Sequence, residues 1–265
     1  MKRRHDGTAK PIISARRIGN HFGDQVVHDH LDLDVIRGEI LGIVGGSGSG
    51  KSVLLKTLTG LRRPSTGTVR VDGKPVDRLE DADKALMIGV LFQQGALFSS
   101  MTVAQNVMVP LREYTNLSRE EREKIAAMKL GLAGFPAESA MKYPGELSGG
   151  MVKRAAFARA VALDPEILFL DEPTSDLDPL TASGVEDLIR QLNESLGTTI
   201  VIVTHDLTTL FTLCDRVGVL VNHKIEVDTI DKLTHSDDAW IKEFLNGPRA
   251  RGAMAVRNQD HGNRR

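Results

Sequence analysis

Residues 45–52 of this chain read Gly45-Gly46-Ser47-Gly48-Ser49-Gly50-Lys51-Ser52. The run fits, at every constrained position, the pattern of a glycine, four further residues and then Gly-Lys-Ser/Thr. The apolar segment 40–44 before it predicts a buried strand, and residues 52–58 after it predict a helix. Glycines at this junction let successive backbone N–H groups converge on phosphate oxygens, and the start of the helix adds the positive end of its dipole. The stretch predicts a nucleoside triphosphate site, with Lys51 on the β and γ phosphates and Ser52 on Mg²⁺.

The composition is that of an ordinary globular protein. The chain has 265 residues, of which 41% are hydrophobic and 26% charged, and its formal net charge is −1. Because the net charge is close to zero, no direct nucleic-acid partner is expected, and the basic pairs Arg62-Arg63 and Lys153-Arg154 are predicted to lie on solvated faces. No apolar stretch of the sequence approaches the roughly 20 residues that cross a membrane, so any membrane role is expected to come through a partner.

Short apolar runs separated by helix-length segments predict a parallel sheet with helices on its faces. An alternating segment between Gly67 and Gly73 predicts a half-exposed antiparallel strand beside strands from 12–20 and 32–36. Between Gly95 and Ala158 the pattern becomes helical and predicts an inserted helical subdomain. The apolar runs are 40–44, 88–92, 167–170, 200–203 and 217–221, and the helical region holds a capping box at Ser118-Arg119-Glu120-Glu121.

Two adjacent carboxylates follow the apolar run 167–170. Asp171 would then lie at the edge of the sheet, where it can hold Mg²⁺ directly or through water. Glu172 would face the γ-phosphate and could orient and polarise an attacking water, which favours hydrolysis over transfer to a second substrate. An Asp-Glu pair can also be a plain strand end, but its place about a hundred residues after a phosphate loop favours the functional interpretation.

A second helix start suited to anions is Leu147-Ser148-Gly149-Gly150-Met151, which precedes a predicted helix over 152–163. With this segment the chain resembles the ATP-binding cassette (ABC) family over nearly its whole length. In that family the signature lies opposite the phosphate loop of a second copy and closes on its γ-phosphate. The resemblance implies an α/β fold: a P-loop NTPase (RecA-like) parallel-sheet core with a small antiparallel β layer and an inserted α-helical subdomain.

The resemblance also implies roles for single residues. Phe22 resembles the aromatic that stacks on adenine, Gln93 the loop glutamine that senses Mg²⁺ and the membrane partner, and His205 the switch histidine on the γ-phosphate. The segment Ser175-Asp176-Leu177-Asp178 resembles the loop that crosses the dimer interface. Each residue alone could be a packing or surface group, but the order and spacing of all six motifs favour the functional roles.

The activity implied is ATP hydrolysis, with ATP and Mg²⁺ as cofactors. Glu172, His205 and Gln93 are the predicted catalytic residues, and Ser52, Gln93 and Asp171 are the predicted Mg²⁺ ligands. Phe22 stands where tyrosine is more usual, and Met151 and Val152 where glutamine is common, yet no phosphate ligand is lost. The residues predicted to contact the nucleotide are Phe22, Gly45, Gly46, Ser47, Gly48, Ser49, Gly50, Lys51, Ser52, Val53, Ser148, Gly149, Gly150 and Asp178.

The resemblance predicts one ABC ATPase domain over residues 10–246. Its nucleotide-binding core would take residues 10–94 and 159–246, and its helical signature subdomain residues 95–158. A flexible segment is expected at 1–9. The tail at 247–265 loses apolar periodicity and is expected to be disordered or to become ordered only on a partner.

The stretch after Gln93 carries a finer resemblance. Residues Gln94-Gly95-Ala96-Leu97-Phe98-Ser99-Ser100-Met101-Thr102-Val103 are similar to those of ATPases that work with MCE-domain proteins, the Mla-type lipid transport systems also described as toluene-tolerance proteins. This implies an ATPase that powers a separate membrane permease in phospholipid trafficking, at the cytoplasmic face of the bacterial inner membrane. The ATPase of a polar amino-acid or other small-solute importer, and a soluble ABC ATPase acting on nucleic acid or ribosomes, remain open alternatives.

The partners implied are a second copy of the chain, as a homodimer in the ATP-bound state, and an integral membrane permease. The subtype adds an MCE-domain protein in the same complex and leaves room for a small cytosolic accessory subunit.

Overall fold

The computed structural model describes residues 10–254, so the segments 1–9 and 255–265, where flexibility and disorder are expected, lie outside the described residues. The chain divides into two units. Among the described residues, the first unit contains 10–79 and 201–254, and the second contains 80–200.

The first unit contains an antiparallel sheet. Strand β1 (Pro11–Phe22) pairs antiparallel with β2 (Gln25–Ile36) on one side and with β4 (Thr66–Val71) on the other, and β4 also pairs with β5 (Lys74–Pro75). A 3₁₀ turn, Val76–Arg78, follows β5. The predicted small antiparallel β layer is confirmed.

The first unit also contains the strand that leads into the phosphate loop. Strand β3 (Ile40–Gly45) is buried along its whole length and is followed by the loop and by helix α1 (Lys51–Leu58). It pairs parallel with β9 (Arg216–Val221), which pairs antiparallel with β10 (Lys224–Asp228). Strand β8 (Thr199–Val203) spans the division between the units. Further helices of the first unit are α7 (Leu207–Leu213), α8 (Ile230–Leu233) and α9 (Ala239–Asn246).

The chain remains ordered beyond Gly247. Residues 248–254 are helical, and Ala250 and Ala253 within them are buried. The predicted disorder is therefore wrong for these residues. Two alanines three positions apart lie on one helix face and can be buried there. Because glycine, proline and arginine surround them, the sequence does not show an apolar helical pattern at this place.

The second unit combines two parallel strands with the helical region. Strands β6 (Ile88–Leu91) and β7 (Ile167–Asp171) pair in parallel. Ser118 and Glu121 form the predicted capping box at the start of α4, and Thr102 and Gln105 form a second one at the start of α3. The helices are α2 (Asp81–Met87), α3 (Val103–Tyr114), α4 (Arg119–Leu132), α5 (Gly149–Ala160) and α6 (Pro179–Leu196), with 3₁₀ turns at Ala137–Ser139 and Pro144–Glu146.

Candidate functional site

The phosphate loop has the backbone form that its glycines predict. Gly48 and Gly50 have φ angles of +76° and +93°, in the region that side chains with a β-carbon rarely enter. A β-carbon added at Gly46 or Gly48 would meet no atom within 4 Å, so the loop has open space beside these residues. Lys51 Nζ donates to the main-chain carbonyls of Gly45 and Gly46, at 2.9 and 3.0 Å. The Lys51 ammonium group thus lies against the start of the phosphate loop.

A chain of buried polar side chains lies beside the loop. Asn20 Nδ2 is 3.0 Å from Nδ1 of His28 and donates to Oγ1 of Thr57 at 3.1 Å, and all three residues are buried. Because the asparagine amide supplies the donor to Nδ1, this network assigns the ring proton to Nε2. A β-carbon at Gly50 would lie 2.7 Å from His28 Nε2 and 2.4 Å from Val27 Cγ1. The histidine ring therefore packs directly against the end of the phosphate loop.

Two buried polar atoms in this region have no hydrogen-bond partner among residues 10–254. They are Oγ of Ser49 and Nε2 of His28. Ser49 Oγ belongs to the loop itself and is enclosed beside Gly45. The open space beside Gly46 and Gly48, with the Lys51 ammonium group on the same loop, fits an anionic ligand.

Burial, and to a smaller extent the neighbouring His223, lowers the pKa of His28 to about 4. Its ordinary value is 6.5, so between pH 6.5 and 4 the folded chain binds fewer protons at this group than the unfolded chain does. The contribution of neutral His28 to the free energy of unfolding is therefore fully present above pH 6.5 and is lost as the pH falls towards 4. We expect this group alone to cost about 2 kcal/mol of unfolding free energy across that window, after allowance for solvent screening.

Urea unfolding of wild type and His28→Phe at pH 7 and pH 4.5 checks this expectation. The variant should lose less stability on acidification, whatever its stability at pH 7. His235→Phe, at an exposed histidine, is the matched control and should behave as wild type. An equal acid-induced loss in wild type and His28→Phe would contradict the assignment.

Phe22 lies at the end of β1 with its side chain 46% exposed. The guanidinium carbon of Arg62 is 3.9 Å from the centre of its ring, and Arg62 also donates to the main-chain carbonyl of His21 at 3.3 Å. The neighbouring Arg63 pairs with Asp77 at 3.2 Å in an exposed position. The prediction of a solvated face therefore fits Arg63 better than Arg62, whose planar group stacks on an aromatic surface.

In the second unit, Asp171 and Glu172 follow the apolar part of β7 as predicted, and each is 8% exposed. Glu172 has a φ angle of +50°, an unusual value for a residue other than glycine. Lys153 Nζ donates to the main-chain carbonyl of Glu172 at 2.8 Å and to Oγ of Ser175 at 3.3 Å. Lys153 is only 7% exposed, so the prediction of a solvated face is wrong for it: this position of α5 faces inward.

The signature segment lies at the start of α5. Ser148 is its N-cap and accepts a hydrogen bond from Met151 N at 3.4 Å. A β-carbon at Gly150 would lie 3.4 Å from Thr181 and 3.6 Å from Leu177, so this signature glycine adjoins the segment 175–178 and the start of α6. Asp178 caps α6 by accepting from Leu180 N and Thr181 N at 3.1 and 3.0 Å. The side-chain hydrogen bond of Thr181 first, and then these backbone bonds, lower the pKa of Asp178.

The segment after Gln93 is held by two residues whose contacts the sequence does not predict. Arg159 donates to the main-chain carbonyls of Gly95 and Ala96, both at 2.8 Å, and burial lowers the pKa of Arg159. Asn106 is fully buried, and its side-chain oxygen accepts a hydrogen bond from Phe98 N at 2.7 Å. Its side-chain nitrogen donates to the main-chain carbonyls of the turn Phe98–Thr102, namely those of Phe98, Met101 and Thr102. The turn is thus fixed from α3 and from α5.

The predicted site residues are divided between the two units. Phe22, the phosphate loop with Ser52 and Val53, and His205 belong to the first unit. His205 is exposed just beyond β8, and the next residue, Asp206, caps α7. Gln93, Asp171, Glu172, Asp178 and the signature Ser148–Gly150 belong to the second, where the signature, the segment 175–178 and Glu172 adjoin one another through the contacts above.

Within residues 10–254, no group of three or more His, Cys, Asp or Glu side chains could hold a metal ion. In the same part of the chain, no helix is both long and apolar enough to span a membrane.

The family model for ABC transporters matches residues 28–175. The chain belongs to the ABC transporter family. This ABC cassette is 40% identical over 243 residues to the "Probable ribonucleotide transport ATP-binding protein mkl" of Mycobacterium leprae, covering 89% of this chain and 69% of that one. It is 37% identical over 240 residues to the "Intermembrane phospholipid transport system ATP-binding protein MlaF" of Haemophilus influenzae, covering 89% and 90%. It is 39% identical over 216 residues to the "Methionine import ATP-binding protein MetN" of Brucella abortus, covering 80% and 58%.

Solved structures agree with the family. The ABC cassette matches the dimeric structure of a post-hydrolysis state of the cassette MJ0796 bound to ADP and Pi, with a TM-score of 0.77 and 32% identity, covering 82% of this chain and 98% of that one. The predicted fold class is confirmed, and the chain is an ATPase subunit of an ABC transporter that binds and hydrolyses ATP.

Proposed function

We propose that this cassette powers a separate permease in MCE/Mla-type phospholipid trafficking, at the cytoplasmic face of the bacterial inner membrane. The observation that carries the proposal is the match to the phospholipid transport protein MlaF, which extends over 89% of this chain and 90% of that protein. The match to the methionine import protein covers only 58% of that protein. The lipid system is thus supported by a match that covers about nine tenths of both chains.

Import of a polar amino acid or another small solute is the second candidate. It is favoured by the 39% identity to the methionine import protein, which slightly exceeds the identity to MlaF. We propose that the partner chains bind the cargo in either case, so the identity of those chains decides between the two.

The proposed partners are a second copy of the chain and an integral membrane permease, with an MCE-domain protein and a small cytosolic accessory subunit as further members of the complex. The dimeric cassette structure supports the second copy. We propose that ATP is held between the phosphate loop of one copy and Ser148–Gly150 of the other, so that Ser148 Oγ and the glycine amides meet the γ-phosphate.

The proposed Mg²⁺ ligands are Ser52, Gln93 and Asp171. Their hydroxyl, amide and carboxylate oxygens are the donors that this hard cation takes, together with phosphate oxygens of the substrate. When bound, Mg²⁺ supplies neutralisation of the charge on the phosphates.

The other proposed roles follow from the chemistry of each side chain. Lys51 exchanges the carbonyls of Gly45 and Gly46 for phosphate oxygens, and its three N–H donors suit either set. Phe22 stacks on adenine. Glu172 accepts a hydrogen bond from the attacking water and orients it, while His205 donates to the γ-phosphate.

The proposal is tested by identifying the partners of the chain. Tagged Glu172→Gln protein is purified with Mg-ATP from gently solubilised native membranes, because slowed hydrolysis should prolong the assembled state. Bound chains are identified by mass spectrometry, with Lys51→Met, which should bind ATP poorly, as the matched control.

Recovery of a permease together with an MCE-domain protein is the expected result. A permease with a periplasmic solute-binding protein would replace the lipid proposal by small-solute import. Recovery of neither, with the tagged protein intact, would contradict both.

A further inference from the structure

We infer that Lys153 is a positioning residue for ATP hydrolysis: its ammonium group fixes the main-chain turn at Glu172 and thereby aims the Glu172 carboxylate. The inference rests on the proposed role of Glu172 as the group that orients the attacking water.

The turn that follows β7 is poorly held by its own backbone. Glu172 and Asp176 have φ angles of +50° and +61°, which residues with a β-carbon adopt at a cost in free energy. The backbone hydrogen bonds inside the turn, from Ser175 N to Glu172 O and from Leu177 N to Thr174 O, are both 3.4 Å long. Bonds of that length are weak, so this conformation needs support from outside the turn.

Lys153 supplies that support. Its bond to the Glu172 carbonyl, at 2.8 Å, is shorter than either backbone bond, and the ammonium group also reaches Ser175 Oγ. Ser175 Oγ in turn donates to the same Glu172 carbonyl at 3.0 Å. One carbonyl oxygen therefore receives two side-chain donors, which together fix the peptide that carries Glu172.

The charge of Lys153 suits this place. Burial lowers its pKa, but Asp176, Glu172 and Asp171 each act to raise it. The side chain donates to a carbonyl and a hydroxyl at this place, which an apolar side chain of the same length could not do.

The lysine belongs to α5, the helix that begins at the signature. Ser148 caps this helix, and Lys153 lies little more than one turn further along it. The contact between Lys153 and Glu172 thus ties the helix of the signature to the turn of the proposed catalytic carboxylate.

The test compares Lys153→Met, which keeps the length of the side chain and removes the donors, with Lys153→Gln, which keeps a neutral donor. Steady-state ATPase kinetics, binding of a fluorescent ATP analogue and thermal unfolding are measured for each purified full-length variant. Because small misplacements of a catalytic group are costly, we expect kcat of Lys153→Met to fall by about 10- to 100-fold with KM nearly unchanged. Lys153→Gln should recover a large part of kcat.

The matched control is Lys129→Met. Lys129 is also a buried lysine of this unit, 3% exposed, but its partner is Asp164 and it lies on α4. Its replacement should lower the thermal unfolding temperature and leave kcat within about two-fold of wild type. Ser175→Ala removes the second side-chain donor to the Glu172 carbonyl, so it should lower kcat by a smaller factor than Lys153→Met does. If Lys153→Met does not fold, Ser175→Ala tests the inference in its place.

A kcat of Lys153→Met within about two-fold of wild type, while Glu172→Gln is inactive, would overturn the inference and leave the role of Glu172 intact. Parallel losses of kcat and stability in Lys153→Met and Lys129→Met would overturn it as well, because the effect would then be structural. Wild-type turnover by Glu172→Gln would instead overturn the proposed role of Glu172, and the inference with it.

Discussion

Glu172→Gln is expected to bind ATP as tightly as the wild-type chain and to hydrolyse it about 100- to 1,000-fold more slowly. The amide has nearly the shape of the carboxylate and can keep the turn after β7, in which Lys153 binds the main-chain carbonyl of residue 172. An amide is a far weaker proton acceptor, so the attacking water loses its proposed base. Since bound ATP then persists, a dimer should accumulate. Phosphate release and size-exclusion chromatography with light scattering, each with and without Mg-ATP, measure both effects.

The matched control is Glu194→Gln, the same chemical change at an exposed position of α6 in the same unit. It should hydrolyse ATP at the wild-type rate and show no added dimer. Wild-type turnover by Glu172→Gln would contradict the role of this carboxylate, and slow turnover without an ATP-dependent dimer would contradict the proposed arrangement of two copies around ATP.

The largest loss of nucleotide affinity is expected for Lys51→Met, at about 100-fold or more, since charge-assisted bonds to phosphate contribute about 1.5–3 kcal/mol each. Lys51 donates two hydrogen bonds, now to the carbonyls of Gly45 and Gly46, and methionine has no donor to offer to either the loop or the phosphates. Fluorescence titration with an ATP analogue measures the affinity.

Lys56→Met is the control for this variant. Lys56 is an exposed lysine of the same helix, α1, so its replacement removes an equal charge within two turns of the loop. It should bind the analogue as wild type does. Similar losses in both variants would mean that general electrostatics, and not the contacts of Lys51, determines affinity, and unchanged binding by Lys51→Met would remove the loop from the nucleotide site.

The core of the fold could be predicted from sequence because its signals are local. Strand β3, the phosphate loop and α1 follow from an apolar run, a glycine pattern and a helical segment that adjoin one another. The hairpin of β9 and β10 was not predicted, since its turn at Asn222 and His223 uses two residues other than glycine at positive φ. The helix over residues 248–254 was not predicted either, because its only buried apolar side chains are those of two alanines, Ala250 and Ala253.

The candidate site divides in the same way. The loop residues, Asp171 and Glu172 form patterns in the sequence, whereas Lys153, Arg159 and His28 act through contacts with main chain or glycine far away along the chain. Two adjacent basic residues on a helix predict a solvated face, because lysine and arginine are rarely buried. Only the packing of α5 shows that Lys153 faces inward. The supporting residues of a site depend on tertiary contacts, which carry no local periodicity.

The central claim, that this cassette drives phospholipid movement, is tested most directly by transport in liposomes. The native complex, purified with its membrane partners, is reconstituted, and transfer of fluorescent phospholipid is followed beside uptake of a labelled polar amino acid. The complex carrying Glu172→Gln is the control. We predict ATP-dependent phospholipid transfer that Glu172→Gln abolishes, with no amino-acid accumulation. ATP-dependent accumulation of the amino acid, with phospholipid transfer indifferent to ATP, would contradict the account.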